Sequence, residues 1–363
     1  MKTQSRREFI KTSAKLGVAV AATGLSPLLA TNQGVNSNVN SSNKSGANTA
    51  TSTKGNAMQN TQNNPQVWFI TGASGGLGFA LAKYLLEKGD KIAVTSRKKG
   101  VEAKFKGLAT DDNFLPLVLT FDKNIDRQVA QNLAQIQKKF GHLDNVVNNA
   151  GYGLLGFVEE VSEKQLRQQF EVNVFAPFIV AQNALKIMRP QALSEGGNAQ
   201  NIKARIYNLS SIAGFRVPGV STTYSMSKFA LSALSEGLMQ DLEDFGIAVV
   251  NVMPAAFRTE FLGASMNLGE LTLSDYNEKR QAFIERTNAY NGKQAGNPTE
   301  FARIIYETSH MKKPPFSLFM GDAAFKSARN KIAFVQSDMT ATESYAGKVA
   351  DFADAGNSAF DKR

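Results

Sequence analysis

The stretch Val67–Gly78, VWFITGASGGLG, decides how this chain folds. It opens with an unbroken apolar run containing the β-branched Val67 and Ile70, set off by Pro65 before it and Gly72 after it. Such a run, with no polar face, suits a strand covered on both sides in a parallel sheet. Beyond it Leu77, Leu81, Ala82, Leu85 and Leu86 repeat at helical spacing until Gly89. Between strand and helix, Gly72, Gly76 and Gly78 permit a tight turn and let backbone approach a ligand closely. A strand, a glycine turn and a helix in that order place free N–H groups and a helix dipole where a pyrophosphate can sit. The spacing, G-x-x-x-G-x-G, reads as a dinucleotide site.

Working outward, short apolar runs predict further strands over 91–96, 115–122, 144–151, 204–211, 247–254 and 316–321. Amphipathic patterns predict helices over 126–140, 162–188 and 224–245. Strands without a polar face, alternating with helices, argue for one α/β domain with a doubly wound parallel sheet. The second strand ends Thr95-Ser96-Arg97-Lys98-Lys99, with no carboxylate to take a ribose 2′-hydroxyl. Arg97 there can fork onto a 2′-phosphate, so the expected cofactor is NADP rather than NAD.

The N-terminus reads differently. SRREFIK (Ser5–Lys11) precedes a mild apolar run, GVAVAATGLSPLLA, that ends at Ala30. Together they resemble a bacterial twin-arginine signal, which implies a partner in the twin-arginine (Tat) export machinery and a periplasmic or exported protein, held at the inner membrane if the signal stays uncleaved. Residues 31–64 include ten Asn and few large apolar side chains, the composition of a disordered linker. The domain is therefore expected over residues 65–363, with a substrate lid region over about 255–363.

The chain carries 41 Lys and Arg against 31 Asp and Glu, a formal +10, but residues 1–64 hold seven of the cations and a single acid, Glu8. Only +4 remains for the domain, without a basic stripe interleaved with aromatics, which argues against nucleic acid as a partner. With no cysteine and only two histidines, His142 and His310, disulfides and thiolate chemistry are excluded and no metal site is expected.

Tyr224 and Lys228 lie four residues apart, on one face of a predicted helix. Ser211, thirteen residues before Tyr224, falls at the carboxyl end of a predicted strand, where active sites of open α/β sheets lie. At this point the sequence resembles a short-chain dehydrogenase/reductase. The resemblance rests on Thr71–Gly78, on Asn148-Asn149-Ala150-Gly151, on Asn173 within EVNVFAP, on Ser211, and on the Tyr224/Lys228 pair. It implies a Rossmann-type fold and an oxidoreductase that interconverts a small-molecule carbonyl and a secondary alcohol.

It also implies roles. Tyr224 would exchange the proton with the substrate oxygen, its anion favoured by the Lys228 ammonium, and Lys228 would also bind the nicotinamide ribose. Ser211 would orient the carbonyl, and Asn173 would hold a water linking Lys228 to solvent. Gly72, Ser74, Gly76, Leu77 and Gly78 would cradle the pyrophosphate, and Asp122 would bond the adenine edge. Asn148, Ala150 and Gly151 would flank the adenosine ribose, and Thr259 would contact the nicotinamide. One departure from the family pattern is Ala255, where a glycine usually follows Pro254. Tyr152, Leu154, Leu155 and residues 257–273 are expected around the pocket, with Met266, Leu268, Leu271 and Leu273 as an apolar lid. A homodimer or homotetramer is implied through the helices near 162–188 and 224–245. The same scaffold also serves epimerases and dehydratases, and a non-enzymatic NADP-binding sensor is the remaining alternative.

Overall fold

The computed structural model describes residues 64–122 and 124–347. The twin-arginine signal, all of the linker but Asn64, and the end of the lid region fall outside the described residues. Seven parallel strands form one sheet: β1 (Val67–Ile70), β2 (Lys91–Ser96), β3 (Phe114–Val118), β4 (Asn145–Asn148), β6 (Ala204–Leu209), β7 (Ile247–Pro254) and β9 (Ser317–Met320). Their order across the sheet is β3-β2-β1-β4-β6-β7-β9. The chain winds outward from β1 in one direction, then returns to β4 and winds outward in the other. The reversal opens a crevice at the carboxyl ends of β1 and β4, the place where such sheets bind ligands.

Alternation along each strand feeds two apolar layers. Val67 and Phe69 of β1, with Val146, Ile206 and Val249, pack under α2 (Ile125–Phe140) and α4 (Ala176–Ser194). Trp68 and Ile70, with Ile92, Val147, Tyr207 and Val250, pack under α1 (Gly76–Glu87) and α7 (Pro298–Ser309), chiefly against Leu81, Leu85, Phe301 and Ile305. A fully apolar strand is thus the consequence of helices on both faces. The Trp68 indole reaches the edge of the second layer, where its N–H donates to Asp90 at 2.9 Å.

The helix predicted over 162–188 is three pieces. α3 (Glu163–Phe170) starts at a capping box between Ser162 and Gln165, a single π turn spans Glu171–Phe175, and α4 follows. The α4 helix runs past Pro190 because Met188 and Ala192, on either side of it, are fully buried in the core. That packing outweighs one lost backbone hydrogen bond. α5 (Thr222–Leu242) ends three residues before the expected Phe245, in a tight turn closed by Gly246 at φ +69°.

Elements that the sequence did not announce complete the molecule. β5 (Gly153–Leu155) and β8 (Met266–Leu268) pair as a separate parallel ribbon beside the crevice. α6 (Asn277–Tyr290) lies between that ribbon and α7, and α8 (Asp322–Ala346) follows β9.

Candidate active site

The glycine turn is built against the segment that follows β4. Thr71 Oγ1 accepts the N–H groups of Asn149 and Ala150, each at 3.1 Å. The Asn149 amide donates to the carbonyls of Thr71 and Gly72, both at 2.9 Å. Gly72, at φ +70°, lies so close that a Cβ on it would stand 2.9 Å from Ala150 Cα, and one on Gly78 would collide with the Asn149 amide. Asn149 is therefore the pin beneath the turn, a role that sequence reasoning did not assign to it. On the other side, Gly72 N–H donates to Thr95 Oγ1 at 3.1 Å and Ala73 N–H to the Thr95 carbonyl at 2.9 Å, which fixes the turn to the end of β2.

Above this base α1 begins at Gly75 without a side-chain cap and without an acidic residue in its first turn. An uncapped helix start of this kind accepts an anion. Ser74 is exposed beside it, and Gly76, at φ +61°, faces Thr259 across the crevice, its Cβ position 3.9 Å from the Thr259 Cβ. Leu77 follows in the first turn, half-buried. Thr71, Phe121, Asn148, Ala150, Val172 and Pro177 line the adjoining hollow. Asn148 Nδ2 is turned inward to Asn208 Oδ1 at 2.8 Å, leaving the buried Asn148 Oδ1 without a hydrogen-bond partner among the described residues. Both Asp122 oxygens are engaged, with Thr120 Oγ1, Asn124 N–H and Gln128 Nε2, which holds its carboxyl below the usual range. Arg97 is exposed at the end of β2 and has no hydrogen bond or ion pair among the described residues.

The second group of residues meets farther along the same crevice. Ser211 follows β6 and starts a short turn (Ile212–Gly214), its Oγ accepting Ala213 N–H at 3.1 Å. Tyr224 comes in from the first turn of α5 and is buried against Leu155, Ala213, Phe261, Met266, Leu268 and Phe283. Burial pushes its phenol up to about 12, opposed by a hydrogen bond from Ser211. Lys228, one turn on, is buried too, and burial pulls its amine down to about 7. Its Nζ donates to the Leu209 carbonyl at 2.6 Å and lies 5.8 Å from the centre of the Tyr224 ring. Without a bound ligand, then, desolvation drives both groups toward their neutral forms and outweighs the help that an ammonium would give the phenolate.

Asn173 belongs to the π turn, whose extra residue turns the side chain inward. Its amide donates to the Tyr152 carbonyl at 3.1 Å and to Ser227 Oγ at 3.0 Å. A Cβ on Gly151 would sit 3.1 Å from Asn173 Oδ1 and 3.5 Å from Lys228 Nζ. Gly151 is itself exposed, and its lack of a side chain leaves Asn173 Oδ1 and Lys228 Nζ close beneath the surface backbone.

Ala255 takes its place without distortion. Its N–H continues the β7–β9 ladder to the Met320 carbonyl at 2.9 Å, and its methyl fits above Gly321. Of the expected lid residues, Met266 and Leu268 pack toward Tyr224, whereas Leu271 and Leu273 are exposed and contribute nothing to the wall. Phe283 of α6 supplies wall that the sequence did not indicate. The segment is fastened down by the buried Glu160, which pairs with Arg280 and accepts Leu273 N–H at 3.1 Å. The result is a phenol surrounded by apolar side chains, with a hydroxyl and an amine beside it, an arrangement suited to passing a proton to or from an oxygen on an apolar molecule.

Comparison with known proteins points the same way. The family model for the short chain dehydrogenases matches residues 66–267. Oxidoreductase BOA17 of Botryotinia fuckeliana is 30% identical over 264 residues, 72% of this chain and 91% of that protein. The NADPH-dependent 3-dehydrocapnine reductase of Ornithobacterium rhinotracheale is 32% identical over 204 residues, 55% of this chain and 68% of that one. A solved short-chain dehydrogenase from Streptomyces avermitilis superposes with a TM-score of 0.68 at 28% identity, covering 78% of this chain and 98% of its own. The matched residues run from the glycine turn through Tyr224 and Lys228 to β8, and a chain so matched over more than half its length belongs to the short-chain dehydrogenase/reductase family of oxidoreductases.

Proposed function

We propose that the protein interconverts a carbonyl and a secondary alcohol with NADP(H), and that Tyr224 exchanges the proton with the substrate oxygen. The observation that carries this reading is the buried Tyr224 phenol, hydrogen-bonded by Ser211 and one helical turn from Lys228, within a cluster of apolar side chains. The glycine turn offers an uncapped helix start for a pyrophosphate, and Asn148 and Ala150 stand beside it, where an adenosine ribose would lie against them. Nicotinamide, when bound, gives or takes the hydride. The chain's own residues do the rest. Ser211 orients the substrate oxygen, Tyr224 holds the proton, and Lys228 supplies positive charge beside it and binds ribose hydroxyls. Asn173, next to Lys228 beneath Gly151, is the residue that would hold a water passing the proton toward solvent. The apolar side chains around Tyr224 would favour an apolar substrate.

The direct experiment is a panel of ketones, aldehydes and secondary alcohols offered to the purified protein while NADPH absorbance is followed. Turnover of substrate without net change in NADPH would replace this reading with an epimerase or dehydratase. For the cofactor, Arg97→Ala should weaken NADPH binding by about 1.5–3 kcal/mol, the worth of a charge-assisted contact, and leave NADH nearly unchanged. Equal losses for both nucleotides in a fluorescence titration would remove Arg97 from the 2′-phosphate.

We further propose a homodimer or homotetramer formed through α4 and α5. Phe175 and Phe178 at the start of α4, with Met226 and Phe229 on α5, are large apolar side chains exposed in the single chain. Light scattering should give a multiple of the chain mass at micromolar concentration, and a strictly monomeric mass would refute the assembly.

A further inference from the structure

We propose that Lys104 is the second cation of the 2′-phosphate site and thereby a specificity-determining residue for NADP over NAD, an inference that rests on the NADP reading above. Arg97, with the adjacent Lys98 able to assist as a point charge, is what the sequence offers for that phosphate; Lys104 adds a cation from outside the strand end. Lys104 lies seven residues further on, past a glycine, and nothing in its spacing ties it to the glycine turn. The fold brings it there. After β2, Ser96 Oγ bonds the Lys98 carbonyl in a tight bend, Gly100 takes φ +102°, and a short helical turn runs over Val101–Phe105. Val101 and Phe105 are buried, and the Phe105 ring packs 5.1 Å from both Phe79 of α1 and Phe114 of β3. With positions 101 and 105 fixed inward, Lys104 faces outward, and its Nζ donates to the Ser74 carbonyl at 2.6 Å. The lysine thus spans from the β2 exit to the exposed crest of the glycine turn.

An ammonium has three donors, and the Ser74 carbonyl takes one. Lys104 has no carboxylate partner: none of the cations of this segment makes an ion pair among the described residues. The distribution of charge singles out the same place. From residue 65 onward the chain has 34 Lys and Arg and 30 Asp and Glu. Residues 97–106 hold five of those cations, Arg97, Lys98, Lys99, Lys104 and Lys106, with one acid, Glu102. That excess of four is the whole surplus of the domain; elsewhere the charges cancel. A phosphate monoester carries roughly −1.5 to −2 at neutral pH, more than one guanidinium neutralises. Arg97 from the strand end and Lys104 from above Ser74 supply the two positive charges from two sides of the turn.

The test is equilibrium binding of NADP, NAD, 2′,5′-ADP and 5′-AMP by calorimetry to the full-length protein, as wild type, Arg97→Ala, Lys104→Met and Lys104→Arg. Lys104 is exposed, so thermal melting should be unchanged in both of its variants. Lys104→Met is expected to lose about tenfold in affinity for NADP and 2′,5′-ADP, and less than twofold for NAD and 5′-AMP; Lys104→Arg should keep most of the preference. Equal weakening of all four ligands would make Lys104 a strap for the glycine turn and overturn the proposal. So would unchanged discrimination in Lys104→Met while Arg97→Ala loses it, an outcome that leaves the NADP reading standing. A wild type that binds NAD as tightly as NADP would overturn both together.

Discussion

Tyr224→Phe lowers the rate of carbonyl reduction by roughly 10²–10⁴-fold, the usual worth of a positioned general acid, and leaves nucleotide affinity within a few-fold of wild type. The substitution keeps the ring that packs on Leu155, Ala213 and Phe261, so the apolar packing around it is retained. It deletes one oxygen, the one hydrogen-bonded by Ser211. The stability change should stay near the worth of that single bond, about 1 kcal/mol. Direction matters as well. A phenol pushed up to about 12 by burial stays protonated through the neutral range, ready to donate. Reduction is then the direction that the free protein is set for near pH 7, and alcohol oxidation, which needs the phenolate, should speed up as pH rises. Single-turnover rates with NADPH and a reactive ketone, beside a titration of nucleotide fluorescence, separate chemistry from binding. Near wild-type turnover in the variant would take Tyr224 out of the mechanism.

How much of this was legible beforehand varies with the range of the interactions involved. β1 and its glycine turn could be read directly, because an unbroken apolar run and three glycines are local requirements of a buried strand and a close backbone approach. The Tyr224/Lys228 spacing was equally local. Asn149 was quoted in a motif yet given no role, since its bonds to Thr71 and Gly72 join segments 77 residues and more apart. The π turn at Asn173 left no mark either. Hydrophobic spacing continues through it, and what stabilises it is contact with Tyr152 and Ser227. A proline disfavours a helix interior, yet α4 runs through Pro190 because its neighbours Met188 and Ala192 are buried. The apolar surround of Tyr224 was the least legible part. Met266 and Leu268 differ from Leu271 and Leu273 only in which of them the β5–β8 ribbon and the Glu160–Arg280 pair turn inward.

Lys228 should show its importance through a pH profile as much as through a rate. Donating its proton leaves Tyr224 as a buried phenolate, a charge that costs several kcal/mol unless a positive group stands beside it. The Lys228 ammonium, fixed on the Leu209 carbonyl, is the cation available there. Burial pulls that amine down to about 7, so the ammonium is present at acid pH and is lost as pH rises through neutrality. Carbonyl reduction should therefore be fastest below pH 7 and decline above it, with Lys228 setting the limb. Lys228→Met removes the charge while filling similar volume, and should cost about 10²–10³ in rate, the scale seen when one preorganised charge-stabilising donor is lost. Unlike Tyr224→Phe, it should also weaken nucleotide binding, because the same amine is proposed to hold the ribose hydroxyls. The residual activity of Lys228→Met should be flat between pH 5 and pH 9. A guanidinium does not deprotonate in that range. Lys228→Arg should accordingly recover part of the rate with a profile that is also flat. If Lys228→Met kept the wild-type decline near neutrality, the limb would belong to another group, and the ammonium would have no part in stabilising the phenolate.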